Sequence, residues 1–407
     1  MPNILFLTTA NLATNPRLVK ELITARNNGI RAEVIAFSFD SPYQDTRVGL
    51  VEDNMLKIRY LSDNKANFFD WLFIGIIHKT VTLLSSITNP RSLMCSAFYI
   101  NKRTIALYRY LFLHKRKYQA YQLIVGHNIG AFYPAYFLSK ALQIPFGIDV
   151  EDYHPGERVL AGDPGTHRQL KEKIFKRVLP NAKYLSHASP LIKEYTKELI
   201  RPFEKDQSVV INNSFYSVEF LFARSGEGLM RYVWFSQYVD FGRGLEYFIE
   251  AADEIKWKGI SLTIIGELRS DFSSRFNIAE NKKIEVKGPM SQKELHLELC
   301  THDVGLAIED NANDLNRDLA LTNKIFAYTQ AGLFLLITQT SAQKQFVQEY
   351  PGAGKLVSLE KTNLIDAFGY INSNSDMIRS LKKRRFDQAG KLSFENEEKK
   401  LLELWSL

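Results

Sequence analysis

The chain has 407 residues, 45% of them hydrophobic and 24% charged, with a formal net charge of +7. That length allows two or three domains with real cores, and the composition is that of an ordinary globular protein rather than a disordered or fibrous one. The positive excess points to anionic partners, whether nucleic acid, phosphorylated substrates or acidic lipid headgroups. The two cysteines, Cys95 and Cys300, lie far apart without metal-ligand spacing, which argues against a disulfide scaffold and for a reduced, cytoplasmic setting. The first apolar run is too short for a signal segment and reads as a core strand, and no stretch reaches the roughly 18 uncharged apolar residues of a membrane span.

In chain order, 3–8 reads as a buried strand and 16–28 as a helix opened by Asn15 at its cap and Pro16 at its first position. A strand over 31–37 follows, and strand, helix, strand in succession implies a parallel sheet with right-handed crossovers. After a third strand over 57–61 the sequence changes character. Residues 68–87, FFDWLFIGIIHKTVTLLSSI, are apolar but interrupted by Asp70, His78 and Lys79, and a helical stretch beyond them ends in Lys115, Arg116 and Lys117 with tyrosines interleaved. Two readings stay open for 68–117: a core helix pair with a solvated basic face, or an amphipathic surface that docks on anionic lipid.

The alternation resumes with strands over 122–125, 145–149, 183–187 and 208–211, and helices over 130–142, 166–178 and from Ser189 to 199. Residues 217–231, with Ser225-Gly226-Glu227-Gly228, read as a connection between domains. A second series then runs through a strand at 231–236, a helix from Arg243, strands at 261–265 and 283–286, a helix from Ser291 and a strand at 304–308. A polar loop leads to a helix that Thr322 caps and Gly332 closes, a strand at 333–337, and helices from Ser341 and near Leu364. The last helix, 394–405, carries Leu401, Leu402 and Trp405 on one side. The expected architecture is α/β: two doubly wound Rossmann-like domains facing a central cleft, over 1–218 and 219–390, with 391–407 crossing back to the first.

Cations gather in the second domain where strands end and helices begin. Lys324 falls in the first turn of its helix, where the partial positive charge of the helix end disfavours it unless an anion sits in front, and Asn316, Arg317 and Asn323 lie nearby. Arg243, between Gly242 and Gly244 and just after Ser236 and Gln237, stands at another helix start. Either cation alone is ordinarily a solvated side chain; together, at strand ends of one domain, they form a clamp for two phosphates. No G-x-x-x-x-G-K-[ST] occurs, nor a G-x-G-x-x-G after the first strand, which argues against an NTPase and a dinucleotide enzyme. The dispersed basic residues and the lack of a recognised module argue against nucleic acid.

In the first domain His127 follows a strand, and Asp149, Glu151, Asp152, His154 and Glu157 follow the next. A lone histidine at such a place is more often a hydrogen-bonded structural residue. The acidic cluster has a metal-binding composition, but no second ligand set of recognisable spacing accompanies it, so sugar-hydroxyl contacts or loop bracing are the expected roles and no metal is expected.

In order and spacing, NPRLVKELITARNNGIRAEVIAF, VGHNIGAF, IDVEDYHPGE, HASPLIKEY, VVINNSF, FSQYVDFGRGLEYFIEAA, LTIIGE and LTNKIFAYTQAGLFLLITQTSAQ resemble the retaining nucleotide-sugar glycosyltransferases of the GT-B fold. The resemblance implies that the second domain binds a nucleotide diphosphate-sugar donor, through Ser236, Gln237, Gly242, Arg243, Gly244, Gly266, Arg317, Asp318, Thr322, Asn323 and Lys324. The first would bind a glycan or glycolipid acceptor, with Arg17, His127, Asn128, Asp149, Glu151, Asp152, His154 and Glu157 on its cleft side. Arg243 matches a residue that holds the diphosphate, Lys324 a basic residue preceding the ribose-binding segment, and His127 the histidine that contacts the donor sugar; these three are the expected catalytic residues.

Transfer would proceed with retention, without metal or a cofactor other than the donor. The cations would stabilise the leaving diphosphate while closure excludes water. The implied setting is cytoplasmic, peripheral on the inner face of the plasma membrane through 68–117. Departures are specific. The family's two glutamates, eight positions apart, fall on Leu319 and Ala327, its first phosphate-binding arginine falls near Tyr238, and its glycine pair after the first strand is absent. Ribose would then rest on Asp318 or Asn323. A non-catalytic binding or scaffold partner of a transferase is the alternative, with a GT-B sugar epimerase a more distant third.

Overall fold

The computed structural model describes residues 3–38, 50, 52–62, 68–87, 92–158, 163, 165–201, 207–310 and 314–406. The Asp70 side chain and residues 88–91 of the basic, apolar segment lie outside the described residues. The chain divides into two compact units, Met1–Ile211 with Glu398–Leu407, and Asn212–Glu397.

Unit 1 is built on seven parallel strands: β1 Asn3–Thr8, β2 Arg31–Phe37, β3 Leu56–Leu61, β4 Leu123–His127, β5 Phe146–Val150, β6 Tyr184–His187 and β7 Ser208–Val210, in the order β3-β2-β1-β4-β5-β6-β7. Unit 2 has six: β8 Met230–Val239, β9 Ile260–Leu268, β10 Ile284–Lys287, β11 Val304–Ala307, β12 Phe334–Thr338 and β13 Gly354–Val357, in the order β10-β9-β8-β11-β12-β13. Each order reverses once, between β1 and β4 and between β8 and β11. Sheets of this kind bind ligands outside the carboxyl ends of the strands at that reversal. The inner strands are largely apolar because helices cover both faces, and β4, β5, β11 and β12 are buried throughout, whereas the edge strands β3 and β10 are partly exposed.

The crossover helices begin where the sequence caps them. Asn15 accepts from the Leu18 amide before Pro16–Asn27, Ser189 from the Ile192 amide before Pro190–Leu199, and Ser291 forms a reciprocal capping box with Glu294. In unit 1 the final turn of Phe394–Trp405 brings Trp405 edge-on to Phe6, 5.8 Å between ring centroids, and its indole N–H donates to Tyr184 Oη at 3.0 Å. The core of unit 2 centres on Tyr232, Trp234, Phe248 and Phe368.

Four expectations are corrected. β8 continues to Val239, past the expected end at 236, through a bulge: Phe235 pairs with Ile265 but Tyr238 with Glu267, so β8 holds one extra residue there. The following helix begins at Leu245 with Gly244 as its cap, leaving Arg243 just outside it. The loop before Thr322 contains a short helix, Leu315–Leu319, capped by Asp314. Thr322 caps the next helix, Asn323–Gln330, without a side-chain hydrogen bond, because its hydroxyl is turned to Glu309, 3.4 Å away. β13 is an addition that its short sequence, GKLV, does not signal.

Candidate functional site

At the reversal point of unit 2, β8 and β11 end side by side and their loops carry the cations. Lys324 lies in the first turn of Asn323–Gln330, 8% exposed, with its ammonium 4.8 Å from the centre of the Trp234 ring of β8 and 3.5 Å from Glu309 Oε1. Burial lowers its pKa, Glu309 works in the opposite direction, and the positive charges of Arg243 and Arg317 lower it further. Both arginines therefore lie within electrostatic reach of Lys324. Arg243 donates to Ser236 Oγ at 3.1 Å and forms no ion pair among the described residues. Arg317 donates to the carbonyls of Gly242, at 3.1 Å, and Asp310, at 2.9 Å, tying the loop after β8 to the loop after β11, and its guanidinium is 3.5 Å from Asp314.

Backbone geometry fixes this cluster. Gly266 of β9 has φ +143° and faces the β8 bulge so closely that a Cβ there would stand 2.0 Å from the Ser236 carbonyl oxygen. No side chain fits against a backbone atom at that distance. Gly244 has φ +87°, which turns the chain into its helix against Ile308. On the other side the Glu309 amide donates to Thr338 Oγ1, whose hydroxyl donates to Gln343, and Gln343 in turn donates to the Ala307 carbonyl, so the end of β11 is pinned to β12.

The remaining expected donor-side residues divide in two. Asp318 accepts from the amide and hydroxyl of Ser341 at 3.0 and 2.5 Å, and so braces the start of Ser341–Glu349. Asn323 Oδ1 is buried without a partner among the described residues. Of the two polar groups suggested for ribose, Asp318 is thus engaged by Ser341, whereas Asn323 Oδ1 has no hydrogen-bond partner among the described residues. Gln237 is exposed within the bulge, and Leu319 and Ala327, at the places where the resemblance expects glutamates, are buried. Glu309 and Trp234 escaped the sequence reading. Glu309 had a signal, being the first polar residue past β11 at the reversal of the sheet; Trp234 had none, since an indole in a strand reads as core.

In unit 1, Arg17, His127 and Asp149 come together beneath the surface. Arg17 makes a two-pronged ion pair with Asp149, at 2.7 Å on each prong, and also donates to the Ile211 carbonyl, while Ser186 donates to Asp149 at 2.6 Å. His127 Nε2 is 3.2 Å from Glu21 and its Nδ1 3.4 Å from Asp149. Burial pulls the imidazole down, but Glu21 and Asp149 outweigh it and raise the pKa to about 10, so His127 is an imidazolium at neutral pH. Burial opposes ionisation of Asp149, yet Arg17 and His127 hold its carboxyl well below the usual range.

Glu21, His127 and Asp149 bring ligand atoms within 4.8 Å of one another, a spacing that a metal ion would accept. Arg17 already supplies the positive charge there, and a dication would have to displace that guanidinium, so these residues fit a closed ion network better than a metal site.

Asn128, with φ +58°, accepts from the Thr9 hydroxyl at 2.7 Å and donates to Thr8 Oγ1 at 2.6 Å, linking the ends of β1 and β4. His154 Nε2 accepts from the Ile129 amide at 3.3 Å, which leaves Nδ1 to donate to Glu157, a carboxylate also held by Lys171. His154 and Glu157 therefore brace a loop. Glu151 differs: burial first, then the charges of Asp152 and Asp149, push its pKa up to about 7.

Two doubly wound parallel sheets in succession define the GT-B fold, and solved structures agree over the full length of the chain. Anabaena Alr3699/HepE in complex with UDP-glucose is similar with a TM-score of 0.67 and 11% identity, covering 100% of both chains. A glycosyltransferase from Rickettsia africae ESF-5 is similar with a TM-score of 0.66 and 13% identity, covering 99% of this chain and 97% of the other. A UDP-GlcNAc 2-epimerase from Neisseria meningitidis bound to UDP-GlcNAc has a TM-score of 0.57 and 12% identity over 98% of each chain. No protein-family model and no curated protein matches the sequence.

Proposed function

We propose that the chain is a glycosyltransferase that takes a sugar from a nucleotide diphosphate-sugar. The observation that carries the reading is the gathering of Arg243 and Arg317 around Lys324 at the reversal point of unit 2, with Lys324 buried in a helix start and paired with Glu309, Arg317 beside Asp314, and Arg243 in no ion pair among the described residues. A diphosphate would supply further negative charge, and the amides that open a helix favour an anion in front of them. As the sugar leaves, negative charge grows on the diphosphate oxygens; fixed cations in a partly dry site stabilise that charge more than they stabilise the bound donor, which is the condition for catalysis. Asn323 Oδ1, an acceptor without a donor, suits a ribose hydroxyl. Because the cations do the neutralising, transfer needs no metal, and the expected stereochemical course is retention onto a glycan or glycolipid acceptor borne by unit 1. His127 of unit 1, 1% exposed and balanced by Glu21 and Asp149, is on this reading a structural residue rather than one that contacts the sugar.

The bound ligands of the structural neighbours, UDP-glucose and UDP-GlcNAc, support a uridine nucleotide as the first donor to try. Screening nucleotide sugars for thermal stabilisation should find one that raises the melting point, because a ligand that binds only the native state stabilises it. With that donor, transfer should survive a chelator and be abolished in both Lys324→Ala and Arg243→Ala, each variant still folded by circular dichroism; full activity in both variants would end the proposal. Buried Ala327 and Leu319 favour a second reading, a non-catalytic partner of another transferase. It predicts no stabilisation by any nucleotide sugar. Epimerisation of the donor sugar without an acceptor, seen by NMR, would point to an epimerase instead.

A further inference from the structure

The helix Phe68–Ile87 in unit 1 is apolar on the side that faces the core and apolar again on the side that does not. At about 100° per residue Ile74 and Val81 share one face, and both are buried beside Phe98 of Leu93–Ile100 and Ile105 of Lys102–His114. Leu72, Ile76 and Leu83 fall on the opposite face and are 39%, 57% and 63% exposed. Phe112 and Leu113, at the end of Lys102–His114, are exposed as well. Single exposed apolar residues are ordinary on a globular protein, but a row along a 20-residue helix marks a surface that meets another apolar phase. No helix among the described residues is long and apolar enough to cross a membrane, so the row is not a span.

Charge identifies the partner. Residues 68–121 hold eight lysines and arginines and one carboxylate, a net +7 that equals the charge of the entire chain. The rest of the sequence is neutral in sum. The cations stand on the exposed rings: Arg109 is 5.2 Å from the centre of Phe73, and Lys115 is 5.3 Å from that of Phe112. Lys79 shares the outer face with Leu72, Ile76 and Leu83, its stem able to lie along them while its ammonium reaches outward. Apolar side chains interleaved with cations are what a helix lying in a bilayer interface needs. A second copy of the chain is a poor occupant, because two such surfaces would press +7 against +7.

We propose that this face of unit 1 docks on an anionic lipid surface, with Phe68–Ile87 lying in the plane of the interface. The inference stands apart from the catalytic reading, since it needs neither a donor nor turnover. It is tested by floating the full chain with vesicles of phosphatidylcholine alone or with about 30% phosphatidylglycerol, at low and high salt. Binding should appear with the anionic vesicles and weaken with salt. Replacing Lys115, Arg116 and Lys117 by glutamine should weaken it by roughly a hundredfold, about fivefold for each cation removed. The variant Leu72→Ser, Ile76→Ser, Leu83→Ser should lose it at unchanged melting point, these side chains being exposed. Equal binding to neutral vesicles, no binding to either, or full binding by both variants would overturn the proposal. So would self-association in light scattering that the serine variant abolishes without any vesicle binding, which would make the face an interface between copies.

Discussion

Lys324 and Glu151 are two ionisable side chains whose surroundings work against their charges. Lys324 is held in a disfavoured protonation environment by burial and by two arginines, a cost that makes sense at a place where an anion arrives. Glu151 lies next to a closed network: Arg17, Asp149, His127 and Glu21 balance one another, and Glu151 is left facing Asp149 and Asp152 with its pKa raised from 4.5 to about 7. A carboxyl whose native pKa exceeds its unfolded one carries no penalty below about pH 4.5 and the full penalty above about pH 7. Glu151→Gln should therefore match the parent protein at pH 4 and exceed it at pH 8, by up to about 3 kcal/mol in denaturant unfolding. A variant no more stable at pH 8 than at pH 4, relative to the parent, would show that Glu151 is not so placed.

Among the elements, the β8 bulge and the strand beside it decide where Arg243 stands. The bulge turns Ser236 toward the Arg243 guanidinium, and only glycine at position 266 leaves space for the Ser236 carbonyl. Gly266→Ala is thus expected to push the bulge away and weaken nucleotide binding at least tenfold while costing on the order of 1–3 kcal/mol of stability; unchanged affinity in calorimetry would separate the bulge from the site.

This is also where the sequence was legible and where it was not. Strands buried on both faces, with asparagine and serine caps between them, could be read almost to the residue, because period and capping are local. A bulge is a relation between two strands, so β8 was expected to stop at 236 when it runs to Val239. The basic helix starts were visible for the same local reason that Glu309 was overlooked: a cation in a first turn violates a rule, whereas a glutamate after a strand violates none. Asp318 shows the converse, a residue with suitable chemistry already occupied by Ser341, a partner 23 positions away. The burial of Arg17, His127 and Asp149 was equally unreadable, since polar residues past strand ends look exposed until their partners are known.

At the scale of the molecule, the uneven distribution of charge separates two tasks. Unit 2 gathers Lys324, Arg243 and Arg317 near Glu309 and Asp314 at a sheet reversal, and unit 1 carries positive charge along a segment rich in exposed apolar side chains. On the two proposals made above, unit 2 would hold an activated sugar while unit 1 rests against anionic lipid. The part on which the rest depends is the cation cluster. Titrating UDP into the parent chain and into Lys324→Ala by calorimetry tests it most directly. The expected result is measurable binding to the parent and a loss of at least tenfold in the variant, with both proteins folded by circular dichroism. Equal affinity in the two, or no binding of any nucleoside diphosphate to the parent, would contradict it.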